Sequence, residues 1–167
     1  MKGDNAVLKK IGIVGFGTMG SGIAQVCLEK GYEVIAVEQE EAFFARGLNQ
    51  MRQNWQRAIA KGRLTAEQQA DYELRLVTTT DMSRLGEADF VIEAIPENLA
   101  LKKELFKKLD SIVRPNVVLA SNTSGLSITE MASVTSDPGR VIGVHFFNPV
   151  PVMQLVELIR AFDTREE

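Results

Sequence analysis

Residues Ile11–Gly20 read IGIVGFGTMG, an apolar, β-branched run followed by three closely spaced glycines. The run from Lys9 to Val14 predicts a short strand, and the apolar residues after the glycines recur at helical spacing until Gly31. A second β-branched run, Tyr32–Glu38, predicts another strand. Strands joined by a crossover helix within one sheet lie parallel. The stretch therefore predicts a doubly wound α/β fold.

A long insertion separates the second strand from the third, which is predicted at Leu74–Thr79. Roughly thirty-five residues lie between them, more than a single crossover helix needs. An apolar stripe from Phe44 to Ile59 predicts a long helix, and Thr65 is placed to cap a shorter one. We therefore expect a helical hairpin at about residues 40–72.

The rest of the chain alternates between predicted strands and helices. Four strands are predicted, at residues 88–95, 117–120, 140–145 and 153–159. A helix at residues 99–113 is predicted to turn its lysines outward and four apolar residues inward: Leu101, Leu105, Leu109 and Ile112. Ser127 and Glu130 match a capping box that opens another short helix. The last two strands are predicted to form a hairpin, which gives the parallel sheet an antiparallel edge.

Length and charge limit the classes of function. A chain of 167 residues fits one domain with a sizeable core, and a formal net charge of −3 is not that of a nucleic-acid-binding protein. No apolar run approaches the roughly 20 residues that span a bilayer, and the polar start MKGDNAVLKK lacks the apolar centre of a signal peptide. We expect a cytoplasmic protein with no membrane or nucleic-acid partner. One histidine and one cysteine predict no metal site.

The three glycines form a G-x-G-x-x-G pattern between a predicted strand and a predicted helix. Gly15 permits a tight turn, Gly17 lets the backbone approach a pyrophosphate, and Gly20 lets the helix pack on the strand. Backbone amides at Thr18 and Met19, where the helix starts, can donate to the anion. The pattern predicts a Rossmann-type dinucleotide site, and a plain structural turn is the alternative.

Glu38, at the end of the predicted second strand, indicates which dinucleotide binds. Its carboxylate can accept hydrogen bonds from an adenosine ribose and would repel a ribose 2′-phosphate. The next residue is Gln39, where an arginine would favour NADP. NAD is therefore the expected cofactor, although an ordinary surface glutamate would fit the same position.

His145, the single histidine, stands at the end of the predicted sixth strand. A hairpin centred on Pro151 would set His145 opposite Glu157 on the same face of the sheet. A carboxylate beside an imidazole fixes its tautomer and makes the other ring nitrogen a usable base. A structural histidine is the alternative, but the Glu157 spacing and the predicted cofactor site favour a proton carrier.

A polar stretch, Ser121–Ser124 (SNTS), follows the predicted fifth strand. Ligands of doubly wound sheets bind at the carboxyl ends of the strands, the edge where His145 also lies. The hydroxyls and the amide of Ser121–Ser124 could hold a substrate oxygen. Hydrogen bonds within an ordinary turn would explain these residues equally well.

Four segments together resemble the NAD-binding domain of the L-3-hydroxyacyl-CoA dehydrogenases, which include the 3-hydroxybutyryl-CoA dehydrogenases. They are IGIVGFGTMGSGIAQ, VIEAIPENLALKKELFKKLD, LASNTSGLSITEMA and GVHFFNPVPVMQLVELI, within residues 9–159. The last three are more specific than the glycine pattern. The resemblance makes residues 1–167 one NAD-binding Rossmann domain. Glu38 departs from the aspartate usual in the family but keeps its charge.

The resemblance also implies a role for each site residue. His145 would be the general base and Glu157 its orienting carboxylate, in an enzyme that interconverts L-3-hydroxyacyl-CoA and 3-oxoacyl-CoA. The resemblance implies that Ser124 and Asn122 contact the substrate's oxygens and that Asn122 also contacts the cofactor. Glu97 and Lys102 would contact the nicotinamide-side ribose. The implied contacts to coenzyme A are Asn54, Arg57, Lys61, Ser124 and Asn148.

Family members continue into a helical domain that dimerises and completes the active site, and no segment here is assigned to it. A homodimer formed through that domain is therefore implied for a longer protein. Two alternatives remain open: a dehydrogenase of a 3-hydroxy acid without coenzyme A, of the gulonate 3-dehydrogenase or lens-crystallin type, and a non-catalytic NAD-binding module.

Overall fold

β-branched runs form the strands of the protein, and amphipathic stretches form the helices between them. The computed structural model describes residues 8–166. Its elements are β1 (Lys10–Val14), α1 (Thr18–Glu29), β2 (Glu33–Val37), α2 (Phe44–Ala60), α3 (Ala66–Leu74), β3 (Leu76–Thr79), β4 (Phe90–Glu93), α4 (Leu99–Ile112), β5 (Val118–Ser121), α5 (Ile128–Ala132), β6 (Val141–Phe146) and β7 (Val156–Arg160). The signal-peptide prediction rests on residues 1–10, of which 1–7 lie outside the described residues.

The strands form one sheet in the order β3-β2-β1-β4-β5-β6-β7. All neighbouring pairs are parallel except β6 and β7, which are antiparallel. The chain therefore builds the sheet outward from β1 in both directions, and a crevice opens between the carboxyl ends of β1 and β4. The doubly wound fold with an antiparallel edge is confirmed.

Helices cover both faces of the sheet and bury two apolar clusters. One cluster joins α1 and α2 to the strands through Ile23, Leu28 and Trp55. The other joins α4 and α5 through Phe106 and Met131. Since both faces are covered, the central strands are mostly apolar. Full burial of each such side chain contributes about 1.5–3 kcal/mol.

The insertion between β2 and β3 is the predicted helical hairpin of α2 and α3. The Thr65 hydroxyl accepts a hydrogen bond from the Gln68 amide, and the Gln68 side chain accepts one from the Thr65 amide. The Trp55 indole donates to the Glu29 carboxylate at 2.9 Å, which ties α2 to α1. This packing leaves a groove between the hairpin, α1 and the segment 148–152.

The prediction for α4 is wrong at Leu101 and Lys102, whereas Lys107 and Lys108 are exposed as predicted. Leu101 is 53 % exposed, whereas Lys102 is 1 % exposed. The inward face instead runs through Lys102, Leu105 and Leu109. Lys102 is drawn inward because the buried carboxylate of Glu93 lies beneath it.

Three local predictions also differ from the structure. β3 begins at Leu76, because Leu74 is the last residue of α3. β7 begins at Val156 rather than Met153, because the amide of Met153 is part of a turn closed by hydrogen bonds to the Pro149 carbonyl. The Ser127 hydroxyl caps α5, but the Glu130 carboxylate lies 3.8 Å from the Lys103 ammonium.

Arg140, directly before β6, is buried and forms an ion pair with Asp110 of α4 at 2.6 Å. Ser136 donates to the same carboxylate from its amide and its hydroxyl. Burial would raise the pKa of Asp110, but the hydrogen bonds from Arg140 and Ser136 outweigh it and hold this pKa below its usual value. The ionised pair therefore stabilises the fold.

Asp110→Asn should lower the free energy of unfolding by about 2–4 kcal/mol at pH 7, because it leaves the buried Arg140 charge without its partner. The folded pKa lies below the unfolded one, so this contribution is present above about pH 4 and is lost as the pH falls through the folded pKa. Urea unfolding across this pH range measures the difference. Asp163→Asn, at an exposed aspartate, is the matched control, and an equal loss in both variants would contradict the assignment.

Candidate active site

The turn from β1 into α1 uses its three glycines in different ways. Gly15 has φ +90°, and a Cβ there would lie 2.8 Å from the Ala94 carbonyl oxygen. A Cβ on Gly20 would overlap the carbonyl oxygen of Gly15. A Cβ on Gly17 would meet no heavy atom within 4 Å. The first and third glycines are thus needed by the fold, whereas Gly17 faces open space in which a ligand can reach the backbone.

Glu38 lies against this turn from the end of β2. Its carboxylate accepts a hydrogen bond from the Phe16 amide at 2.5 Å, and the Gly15 amide donates to the Val37 carbonyl at 2.9 Å. The acidic group is therefore held beside the turn, at the position where an adenosine ribose would lie.

A cleft of about 900 Å³ extends from the turn across the crevice between β1 and β4. Its walls combine the turn backbone and Glu38 with apolar side chains from the segments before α2, after β3 and after β4, and from α4: Phe43, Met82, Ile95, Leu101 and Leu105. The exposed Leu101, which was predicted to face the core, is thus part of this wall. An apolar cleft that has the backbone amides of the turn and a carboxylate beside them suits a dinucleotide.

His145 and Glu157 face each other across the β6–β7 hairpin. They are directly opposed in the antiparallel register, as the hairpin spacing predicts. The His145 Nδ1 lies 2.9 Å from the Glu157 carboxylate, and its ring packs on Phe147. With Nδ1–H donating to the carboxylate, Nε2 is the acceptor, which is the state that a general base needs.

The loop after β5 lies beside this pair. Asn122 accepts a hydrogen bond from the Phe146 amide at 2.8 Å, so the loop is fixed to the residue that follows His145. Glu97 accepts from the Thr123 hydroxyl at 2.5 Å and from the Ser124 amide at 3.2 Å. The structure thus brings Asn122, Ser124 and His145 to one edge of the sheet.

Lys102 lies beneath this edge rather than in the open cleft. Its ammonium is 2.5 Å from the Glu93 carboxylate and 3.5 Å from that of Glu97. Sequence reasoning singled out Lys102 and Glu97 but missed Glu93. The acidic residue inside the otherwise apolar β4 run was a signal that could have found it.

A second cavity, of about 910 Å³, is the groove between the helical hairpin, α1 and the segment 148–152 after β6. Four of the predicted coenzyme A contacts line it, Asn54, Arg57, Lys61 and Asn148, whereas Ser124 lies at the strand edge described above. Three further cations, Lys30, Arg46 and Arg63, also line the groove, and sequence reasoning missed them. Arg46 continues the α2 polar stripe of Asn54, Arg57 and Lys61 by two turns, which was a usable signal.

Asn54 is already engaged within the groove. Its amide donates to Gln25 at 2.9 Å and accepts from Gln50 at 3.1 Å. The cationic side chains, rather than Asn54, are therefore the groups of the groove that could contact an anionic ligand.

Two further classes of site were sought. Among residues 8–166, no three His, Cys, Asp or Glu side chains cluster closely enough to hold a metal ion. In the same range, no helix has the length and apolar character to cross a membrane.

A family model described as the NAD-binding domain of 3-hydroxyacyl-CoA dehydrogenase matches residues 10–167. The chain belongs to this family. The resemblance and the NAD cofactor predicted from the sequence are thereby confirmed, and the open space at Gly17 and the placement of Glu38 fit this cofactor.

Curated and solved members of the 3-hydroxyacyl-CoA dehydrogenase family are close in sequence and structure. A 3-hydroxybutyryl-CoA dehydrogenase of Mycobacterium tuberculosis is 46 % identical over 95 % of this chain and 56 % of its own length. The human mitochondrial hydroxyacyl-coenzyme A dehydrogenase is 40 % identical over 92 % of this chain and 51 % of its own length. The crystal structure of (S)-3-hydroxybutyryl-CoA dehydrogenase from Ralstonia eutropha, 46 % identical, superposes with a TM-score of 0.93 over 95 % of this chain and 56 % of that one. The chain thus spans about half the length of these relatives.

Alanine at the second and third glycines should separate binding from folding. Gly17→Ala should change the free energy of unfolding by about 1 kcal/mol or less but weaken NAD binding by roughly tenfold or more, because the methyl group fills ligand space. Gly20→Ala should destabilise the fold, since its methyl group overlaps a backbone carbonyl. Thermal unfolding and calorimetric titration with NAD measure the two effects, and normal NAD affinity in Gly17→Ala would contradict the assignment.

The wild-type chain should bind NAD much more tightly than NADP, because we expect the Glu38 carboxylate to face the ribose 2′ position. Glu38→Arg should bring the two dissociation constants closer together. It should also weaken NAD binding somewhat, because the variant lacks the hydrogen bond between the Phe16 amide and the Glu38 carboxylate. Calorimetry gives both constants. Glu41→Arg makes the same charge change outside the cleft and should leave the ratio unaltered; equal affinities in the wild type would overturn the assignment of Glu38.

Proposed function

We propose that this chain is the cofactor-binding part of an NAD-dependent dehydrogenase that interconverts L-3-hydroxyacyl-CoA and 3-oxoacyl-CoA. The observation that carries the proposal is the His145–Glu157 pair, held at 2.9 Å on the same sheet edge as the Ser121–Ser124 loop. A domain that only sensed NAD would need the glycine turn and Glu38, but not this pair.

In the proposed reaction, His145 takes the proton of the 3-hydroxyl through Nε2. Bound NAD supplies the hydride acceptor. Glu157 orients the imidazole through Nδ1 and stabilises its cationic form once the proton has been taken. In the reverse direction, His145 returns the proton to the oxygen at C3.

Ser124 and Asn122 are proposed to hold the oxygens of the substrate. Both lie on the loop that follows β5, and Asn122 is tied to Phe146 beside the base. Two fixed polar groups and one base on the same edge can place C3 in a single orientation, and such positioning can supply several kcal/mol of the barrier reduction.

The second cavity favours a coenzyme A thioester over a free hydroxy acid. Five cationic side chains line it, and a nucleotide with several phosphates needs such a surface: Lys30, Arg46, Arg57, Lys61 and Arg63. A small free hydroxy acid would use none of them. The groove therefore supports the proposal against the gulonate-type alternative.

The exposed face of β7 supports a further domain. Every residue of β7 is exposed, and apolar residues lie along and beside it: Val152, Met153, Leu155, Leu158 and Phe162. An apolar surface of this kind is normally covered. We propose that in the full gene product a helical domain, like that implied for the longer relatives, covers this face, dimerises and completes the active site. We also propose that the protein is located in the cytoplasm.

His145→Gln should lower kcat for reduction of acetoacetyl-CoA by about 10²- to 10⁴-fold, the usual contribution of a positioned general base. NAD affinity should be unchanged, because His145 is remote from the glycine turn in the fold. The assay uses the full gene product with NADH at saturation. Glu157→Gln should give a smaller loss, and wild-type turnover in the histidine variant would make His145 a structural residue.

A further inference from the structure

Gly22, in the second turn of α1, is a glycine that the helix itself does not require. It lies within regular helix and does not have a positive φ. Alanine forms helix better than glycine, which loses more conformational freedom when the chain folds. A Cβ on Gly22 would lie 2.9 Å from the Cβ of Val150 and 3.1 Å from its Cγ2. The close approach of the segment after β6 therefore explains the glycine.

Val150 anchors the segment that follows β6. Within residues 148–160, all of which the structure describes, only Val150 is buried, with 4 % of its surface exposed. Its side chain belongs to the apolar cluster of α1 and α2, which also contains Ile23 and Trp55. Since the other residues of this range are exposed, the loop of the β6–β7 hairpin is joined to the core through Val150.

His145 lies beyond the part of β6 that pairs with β5. The β5–β6 ladder ends at Gly143, whereas the β6–β7 ladder continues to Phe146. This end of β6 is held by β7, whose residues are all exposed, and by Asn122, which accepts a hydrogen bond from the Phe146 amide. Packing of Val150 on α1 joins the same end of the hairpin to the helix that follows the glycine turn.

The start of α1 also lines the cofactor cleft. The helix begins at Thr18, one turn before Gly22, and Thr18 is part of the cleft wall. In the proposed reaction the cofactor takes the hydride and His145 takes the proton of the same substrate, so both groups need a fixed separation. Within the sheet, β4 and β5 lie between β1 and β6. Through Val150 and Gly22, the hairpin and the cofactor helix touch directly.

We propose that Val150 and Gly22 are positioning residues that fix the His145–Glu157 hairpin against the helix of the cofactor turn. Gly22 leaves room for the Val150 side chain to contact α1, and Val150 holds the hairpin loop in that place. The two residues thereby set the separation between the base and the cofactor. The inference rests on the proposed function in one respect, that His145 is the base.

Val150→Ala in the full gene product tests the inference, with Val113→Ala as the matched control. Val113 is 6 % exposed, belongs to the other apolar cluster and lines neither cavity. At saturating NADH, Val150→Ala should lower kcat for acetoacetyl-CoA by roughly tenfold or more, since small displacements in a site cost up to about 10²-fold. The dissociation constant of NADH, from fluorescence titration, should stay within about threefold of wild type. Val113→Ala should change neither value.

Three other results would overturn the inference. Because Val150 also lines the second cavity, a higher KM for acetoacetyl-CoA with unchanged kcat would make it a contact of coenzyme A. Equal losses of kcat in Val150→Ala and Val113→Ala would assign the effect to general destabilisation. Unchanged kcat and KM in Val150→Ala would show that the hairpin keeps its place without this contact.

Gly22→Ala alters the same contact from the side of the helix. Its methyl group would overlap the Cβ of Val150, so the loop or the helix must shift, and kcat should fall as it does in Val150→Ala. If both residues act through one contact, the double variant Gly22→Ala/Val150→Ala should lose less than the product of the two single losses. Losses that multiply would contradict a shared contact.

Failure of the proposed function would show separately. If the wild-type protein reduces no acyl-CoA, that function is wrong, and hydrogen exchange of the Phe146 amide in the 167-residue chain then decides whether Val150 holds the hairpin. This amide lies next to His145 and donates to Asn122. Its exchange should accelerate by roughly tenfold in Val150→Ala and not in Val113→Ala. The same exchange rate in Val150→Ala and wild type would refute the positioning role.

Discussion

The contact between Gly20 and the carbonyl oxygen of Gly15 determines where the first helix begins, because no side chain fits between them. The helix start therefore lies directly on the end of β1, and its free amides point across the crevice between β1 and β4. Glu38 reaches the same turn from β2 and accepts a backbone hydrogen bond from it. The cofactor cleft is thus a result of backbone packing, and only Gly17 within the turn is left to the ligand.

The proposed catalytic residues lie in the other half of the sheet, and their arrangement depends on strand register and side-chain contacts. There the backbone supplies register, and side chains supply the contacts. His145 and Glu157 meet because the antiparallel register opposes them, whereas Asn122 and Ser124 meet the same edge because β5 and β6 are parallel neighbours. One parallel pair and one antiparallel pair of strands are sufficient to bring a base, its carboxylate and two polar groups together.

Features that depend on local spacing could be predicted from the sequence. The glycine turn, the Thr65 cap and the opposition of His145 and Glu157 each follow from counting residues within one turn, helix or hairpin. The burial of Lys102 could not be predicted in this way, because periodicity places a lysine on the solvent side of a helix. Its position depends on Glu93, which lies on a strand packed beneath the helix. The hydrogen bond from Asn54 to Gln25 of α1 also depends on the packing of two helices and could not be predicted from spacing.

The β6–β7 hairpin gives β7 a single neighbour in the sheet, and β7 carries one member of the proposed catalytic pair. An edge strand opens more readily than a central one, since only one ladder of hydrogen bonds holds it. Opening of β7 would carry Glu157 away from the imidazole while the cofactor cleft stayed intact, because β5 and β6 lie between β7 and the crevice of β1 and β4. A partner that packs on the outer edge of β7 would therefore also determine how often Glu157 contacts His145, so the proposed proton transfer would depend on the docking of that edge.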